Sequence, residues 1–195
     1  CRGSGAVRRL LRSVGAHIFS AMLHMVHLRS LQADSLAEAS RLCLRAKAYW
    51  GYSEGFLAAC MPGLTLTPQD LESSLIMGAF DVERLVGVAQ IAFDGRDCLL
   101  DKLFVDPGAI GMGIGRQLFD WCRHEAAGHR SARLLIESDP FAEPIYLAMG
   151  CHRIGRVWSE PTSRHIPLLE FPLSAEPNAH SHDSRSPHKP PSPRA

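Results

Sequence analysis

No stretch of this sequence reaches the roughly 18 unbroken apolar residues that a membrane span requires, so a membrane partner is not expected. An excess of charge of one sign is also missing. Lys and Arg number 21 against 20 Asp and Glu, giving a formal net charge of +1 and a pI near 7.9. Such a balance creates no global field to recruit nucleic acid or an anionic surface, and any phosphate affinity has to be local. The six cysteines, Cys1, Cys43, Cys60, Cys98, Cys122 and Cys151, contain no C-x-x-C pair, which argues against a zinc site and against a disulfide framework. The expectation is a cytoplasmic protein without a metal. What is present is ample apolar content, 46% of 195 residues, enough for one well-buried core.

Acids are also missing from the start of the chain, where Arg2, Arg8, Arg9 and Arg12 precede the first of them, Asp34. Residues 1–25 therefore read as an organelle transit segment, an added stretch or an over-extended reading frame with its start at Met22 or Met25. They are expected to stand outside the fold. From Ser174 the chain is rich in Pro, Ser and His, too poor in apolar surface to offset its ordering entropy, so 174–195 is expected to be a disordered tail. The domain expected is 26–173.

Within it, VHLRSLQ alternates like a strand and leads into Ser35-x-x-Glu38, a capping-box spelling ahead of a helix with Leu36, Ala39, Leu42, Cys43 and Ala46 on one face. A second helix is predicted near Ser53–Met61, and Thr67, Pro68 and Asp70 open a short further turn. The runs LIMGAF, LVGVAQIAF and CLLDKLFV, separated by DVER and DGRD, predict an antiparallel meander. A glycine-headed helix, the strand ARLLIE, a helix over Pro140–Met149 and the strands CHRIGRVW and PLLEFPL complete the order β-α-α-β-β-β-α-β-α-β-β. The strand–helix–strand passage through the glycines requires a right-handed parallel crossover, so the sheet is predicted to be mixed and mostly antiparallel, with six to seven strands.

The stretch DPGAIGMGIGRQL places Gly111, Gly113 and Gly115 at every second position where a strand hands over to a helix. A helix start carries about four amides without internal partners and a partial positive charge, so phosphate oxygens fit there without a lysine. Amides from Gly111 to Arg116 would serve a pyrophosphate, with Arg116 as a charge partner; the other reading is that the glycines let the helix pack closely on the sheet. The dinucleotide fingerprint G-x-G-x-x-G fails because Arg116 follows Gly115, and the P-loop fails for want of G-K-[ST].

Spelling and element order together resemble the GNAT superfamily of acetyl-CoA-dependent N-acetyltransferases, over nearly all of Val26–Leu173. The family's [QR]-x-x-G-x-[GA] loop is matched by Ile110-Gly111-Met112-Gly113-Ile114-Gly115, with Ile110 in place of Gln or Arg. Its N-x-x-A-x-x-x-Y element is matched by Asp139-Pro140-Phe141-Ala142-Glu143-Pro144-Ile145-Tyr146, with Asp in place of Asn. LAMG (Leu147–Gly150) and RAKAYWGY (Arg45–Tyr52) resemble stretches of a bacterial-type subgroup. The resemblance implies an α/β (α+β) GNAT-like sheet flanked by helices, acetyl-CoA as donor, and a small-molecule or peptide amine as acceptor. It also leaves room for a homodimer through the last strands.

By the same resemblance, cofactor contacts fall to Leu103, Phe104 and Val105 on a bulged, splayed strand, to Ile110–Arg116, and to Asp139, Ala142 and Tyr146. Tyr146 matches the family's general acid, which protonates the departing thiolate; alternatively it is a core tyrosine. The base is open between Asp101, placed by strand alternation on one face with Leu99, Leu103 and Val105, and Glu137; a water-mediated route needs neither. Lys47, Trp50 and Tyr52 are expected at the acceptor, as a pocket wall and an anchor for an acidic group, or else as core closure and a solvated lysine. Two rivals remain, a catalytically silent CoA or acyl-CoA module of the same fold and a nucleotide-binding regulatory domain.

Overall fold

The computed structural model describes residues 26–173; the expected extension and tail lie outside them. The strands are β1 (Val26–Ser30), β2 (Leu75–Asp81), β3 (Arg84–Asp94), β4 (Asp97–Val105), β5 (Arg133–Glu137), β6 (His152–Ser159) and β7 (Arg164–Pro172). The helices are α1 (Leu36–Ala48), α2 (Glu54–Leu64), α3 (Pro68–Ser73), α4 (Ile114–Gly128) and α5 (Glu143–Ala148). Among the described residues one seven-stranded sheet runs β1-β2-β3-β4-β5-β7-β6, and within it only β4 and β5 are parallel neighbours. The meander and the mixed sheet follow the predicted order. Among the described residues no helix is long and apolar enough to cross a membrane.

Each face of the sheet buries its own apolar layer. α4 contributes Ile114, Leu118, Phe119 and Cys122 to one, joined by Ile91, Leu100, Leu134, Ile136 and Tyr146. α1 contributes Leu36, Ala39, Leu42 and Cys43 to the other, with Cys60 and Leu64 of α2 and Phe80 and Val88 of the sheet. A Cβ on Gly87 of β3 would lie 2.8 Å from Ile114 Cγ2 and 2.9 Å from Leu118 Cδ1. The bare backbone there lets the first turn of α4 sit directly on the sheet, which fixes the height of the loop before it.

Two local expectations are revised. Ser35 does not cap α1: its hydroxyl donates to Asp34 at 3.0 Å, while Glu38 accepts from Arg41 and Arg45, because a 3-10 turn over Ala33–Ser35 takes up the place of the box. The box forms instead at α3, where Asp70 accepts from both the Thr67 amide and hydroxyl at 2.7 Å. The last helix begins at Glu143 rather than Pro140, since the Asp139 carboxylate accepts from the Phe141 amide at 2.9 Å and holds a turn before the helix.

Candidate functional site

β4 and β5 pair over Asp97–Leu100 and Arg133–Ile136 and then part. Beyond Leu100, β4 continues to Val105 bound only to β3, so from Asp101 onward its β5-facing edge has no ladder partner. On its other side the register skips at Asp101: Ile91 faces Leu100 and Gln90 faces Lys102. Asp101 is thus the extra residue of a bulge, and the expected alternation breaks there. Leu103 and Val105 pack with the α4 layer and Phe104 with the α1 layer, whereas Leu99 lies exposed. Placing Leu99, Asp101, Leu103 and Val105 on one face is therefore corrected. The first residues past the fork, Asp101 on β4 and Glu137 on β5, are the two carboxylates expected as bases.

The loop after β4 is anchored by Asp106, a buried residue that composition did not single out. Its carboxylate accepts from Arg45 of α1, Arg84 of β3 and the Gly108 amide, each at 3.0 Å. Burial pushes this carboxyl up, but Arg45, the Gly108 amide and Arg84 outweigh that and hold it below the usual carboxylate range. The only sequence signal for it was the Asp-Pro turn spelling. Gly111 at φ +88° and Gly113 at φ +79° then adopt the left-handed conformation, and a Cβ on either would meet nothing within 4 Å. Backbone shape rather than crowding demands these glycines. Gly113 caps α4, and the first intrahelical donor is Gln117, to the Gly113 carbonyl at 3.1 Å. Among the described residues the amides of Gly113, Ile114, Gly115 and Arg116 have no partner within the chain. Ile110 and Met112 are exposed on this loop.

Tyr146 of α5 is buried in the α4 layer, 6.1 Å between ring centroids from Phe119. Burial pushes its phenol well above the usual tyrosine range, so it stays protonated. Ala142, one turn earlier, packs against the same layer.

Asp139 sits at the centre of an ion-pair knot. It accepts from Lys47 Nζ and from the Tyr52 hydroxyl at 2.9 and 3.0 Å, with Arg164 Nη2 of β7 at 3.7 Å. Arg164 in turn donates to the Tyr52 oxygen at 3.2 Å. Burial raises the Asp139 carboxyl, but Lys47, the Phe141 amide and Tyr52 hold it below its usual range. Lys47, expected to orient an acid on the substrate, is thus committed to an acid of its own chain, and Asp139, expected on the cofactor, is committed to Lys47. The position of Arg164, 112 residues from Tyr52, carried no sequence signal. Trp50 is not core closure: its ring lies exposed beside Phe141.

Lys102, buried under α1, donates to Gln90 Oε1 at 2.7 Å and to Asp101 Oδ2 at 3.3 Å. Gln90 passes the network on to Asp70 and Ser74 at 3.0 and 2.9 Å. Asp101 is therefore a paired carboxylate, whereas Glu137 makes no side-chain ion pair among the described residues.

A family model described as an acetyltransferase (GNAT) domain matches residues 64–169, more than half of the chain. A comparison with curated proteins gives no match. Among solved structures, similarity extends to the PaiA N-acetyltransferase of Thermoplasma acidophilum in complex with coenzyme A, at 14% identity and TM-score 0.61, covering 75% of this chain and 98% of that one. The ribosomal-protein-S18-alanine N-acetyltransferase of Escherichia coli aligns at 20% identity and TM-score 0.59, covering 80% and 99%. A GNAT-family acetyltransferase of Staphylococcus aureus aligns at 17% identity and TM-score 0.63, covering 76% and 99%.

Proposed function

We propose, from the premise that this chain belongs to the GNAT acetyltransferase family, that it moves an acetyl group from acetyl-CoA directly to a primary amine of a small molecule or peptide. The observation that carries this reading is the row of partnerless amides from Gly113 to Arg116 at the head of α4, beside the fork that β4 and β5 open after Leu100 and Ile136. Acetyl-CoA supplies an activated thioester acetyl and a diphosphate. The residues present fit it: the amides and the positive end of α4 suit the diphosphate, and open space at Gly111 and Gly113 leaves the approach clear.

The free edge of β4 at Leu103 and Val105 then offers main-chain groups to the pantetheine arm and to the charge that develops on the acetyl oxygen. Tyr146, kept protonated by burial, donates its proton to the departing thiolate. Glu137, which has no ion-pair partner among the described residues, takes the proton of the attacking amine; Asp101, held by Lys102, draws the incoming ammonium to the fork. Lys47 and Tyr52 act through Asp139 to set the acceptor wall. A cytoplasmic setting fits the buried free thiols of Cys43, Cys60, Cys98, Cys122 and Cys151, and the exposed outer strand β6 is where a homodimer of this reading forms.

A second reading, a silent CoA-binding module, is favoured by two observations, the apolar Ile110 and the committed Asp139. Thiol release from acetyl-CoA with a panel of amines, run beside calorimetric titration with CoA, ATP and NAD, separates the readings. Release in the presence of an amine supports transfer. CoA binding without release supports the silent module, and preference for ATP or NAD overturns both.

A further inference from the structure

Behind the acceptor wall, Tyr52 stacks on Phe56 with centroids 4.1 Å apart. In front of it, Trp50 and Phe141 lie within 2° of parallel at 5.5 Å, an offset stack in which each ring keeps part of its surface uncovered for a further ring to pack against. These two rings stay 37% and 51% exposed. They come from the segments that follow α1 and β5, so the platform joins those two segments. Each segment is tied down next to its ring, through Lys47 and Tyr52 on one side and through the Phe141 amide on the other, all meeting on Asp139.

Charge differs between the platform and the fork. At the fork stand the carboxylates of Asp101 and Glu137. At the platform, Lys47 and Arg164 share the single carboxylate of Asp139, which leaves a surplus positive charge there. An acceptor with its ammonium at the fork is attracted, while a second ammonium at the platform is repelled. A flat, polarisable group without a positive charge suits the platform.

We propose that the acceptor is a monoamine carrying an aromatic ring, which stacks on Trp50 and Phe141 while its amine reaches the fork. The inference rests on the acetyl-transfer reading. The ring is supplied either by a small arylalkylamine or by the first side chain of a peptide, and both sources are tested.

The test measures acetyl-CoA thiol release with phenylalkylamines of one to four methylenes, each against its cyclohexyl counterpart, with a tripeptide amide beginning in Phe against one beginning in Ala, and with spermidine. The expected result is a preference of several-fold, up to about tenfold, in kcat/KM for the aromatic member of a pair, with spermidine a poor substrate. In Trp50→Leu and Phe141→Leu the preference falls to near one, and circular dichroism melting verifies that both variants are folded. Equal use of aromatic and cyclohexyl amines, or a preference for spermidine, overturns the inference and leaves the acetyl-transfer reading standing. If the variants instead raise KM for acetyl-CoA and keep the wild-type aromatic preference, the platform serves the donor and the inference is overturned. Absence of release with every amine overturns both.

Discussion

Lys47 and Asp139, 92 residues apart in the chain, form an ion pair that is nearly closed to solvent, with side-chain exposures of 14% and 12%. It joins the end of α1 to the turn that follows β5, the two segments between which an acceptor would enter. Removing Lys47 leaves the buried Asp139 carboxylate with the Tyr52 hydroxyl, the Phe141 amide and the more distant Arg164 but without its closest counter-charge. Lys47→Met is expected to lower stability by about 2–3 kcal/mol, measured by denaturant titration at pH 7. Asp139 is held below its usual carboxylate range, so the stability it contributes is present above the unfolded carboxylate pKa and is lost as pH falls through the lower, folded value. Lys47→Met should therefore lose less stability than the wild type on acidification; an equal loss would remove Asp139 from the acid transition.

Tyr146→Phe deletes a hydroxyl and keeps the ring packed against Phe119. A fall in kcat of about 10²- to 10⁴-fold, with unchanged CoA affinity, is the expected outcome. Because burial keeps the phenol protonated, the wild-type rate should show no loss of this acid up to about pH 10, the ordinary tyrosine range. A melting transition that collapses in Tyr146→Phe would assign the residue to packing alone.

Two of the loop glycines, Gly113 and Gly115, should separate cleanly. Gly113→Ala forces an L side chain to φ +79° and is expected to cost about 1–2 kcal/mol and to weaken CoA binding by calorimetry. Gly115 has ordinary backbone, and a Cβ there would touch Val105 Cγ2 at 3.6 Å. Gly115→Ala should leave the melting temperature unchanged; a loss as large as that of Gly113→Ala would contradict the backbone argument.

At the fork, Glu137→Gln removes a carboxylate with no counter-ion among the described residues, and Asp101→Asn removes one already paired with Lys102. The expected pattern is a kcat loss of about 10²-fold or more for Glu137→Gln and mainly a raised amine KM for Asp101→Asn. The reverse pattern would hand the base role to Asp101.

Val82 occupies the β2–β3 turn at φ +57° and is 66% exposed. A β-branched residue is strained there. Val82→Asn or Val82→Gly is expected to stabilise by about 1 kcal/mol, seen as a rise in melting temperature.

Much of the fold was legible because the signals are local. Alternation over LVGVAQIAF, the polar turns around it and the glycine-headed helix specify β3, its neighbours and α4 through short-range geometry. The Thr67–Asp70 box formed and the Ser35–Glu38 spelling did not, since a neighbouring turn and two arginines compete for the second set of groups. The bulge at Asp101 was invisible to a period-2 reading because one extra residue resets the face of everything after it.

For the site, residue order alone settled where bare helix-head amides would lie and that a tyrosine would follow one turn after Ala142, since both depend on neighbours within a few positions. Only the assembled chain decided that Lys47 and Asp139 serve each other, that Arg45 and Arg84 hold Asp106, and that Trp50 meets Phe141 in the open. Charges and rings far apart in sequence choose partners by proximity after packing, and that choice rests on the summed geometry of the whole sheet.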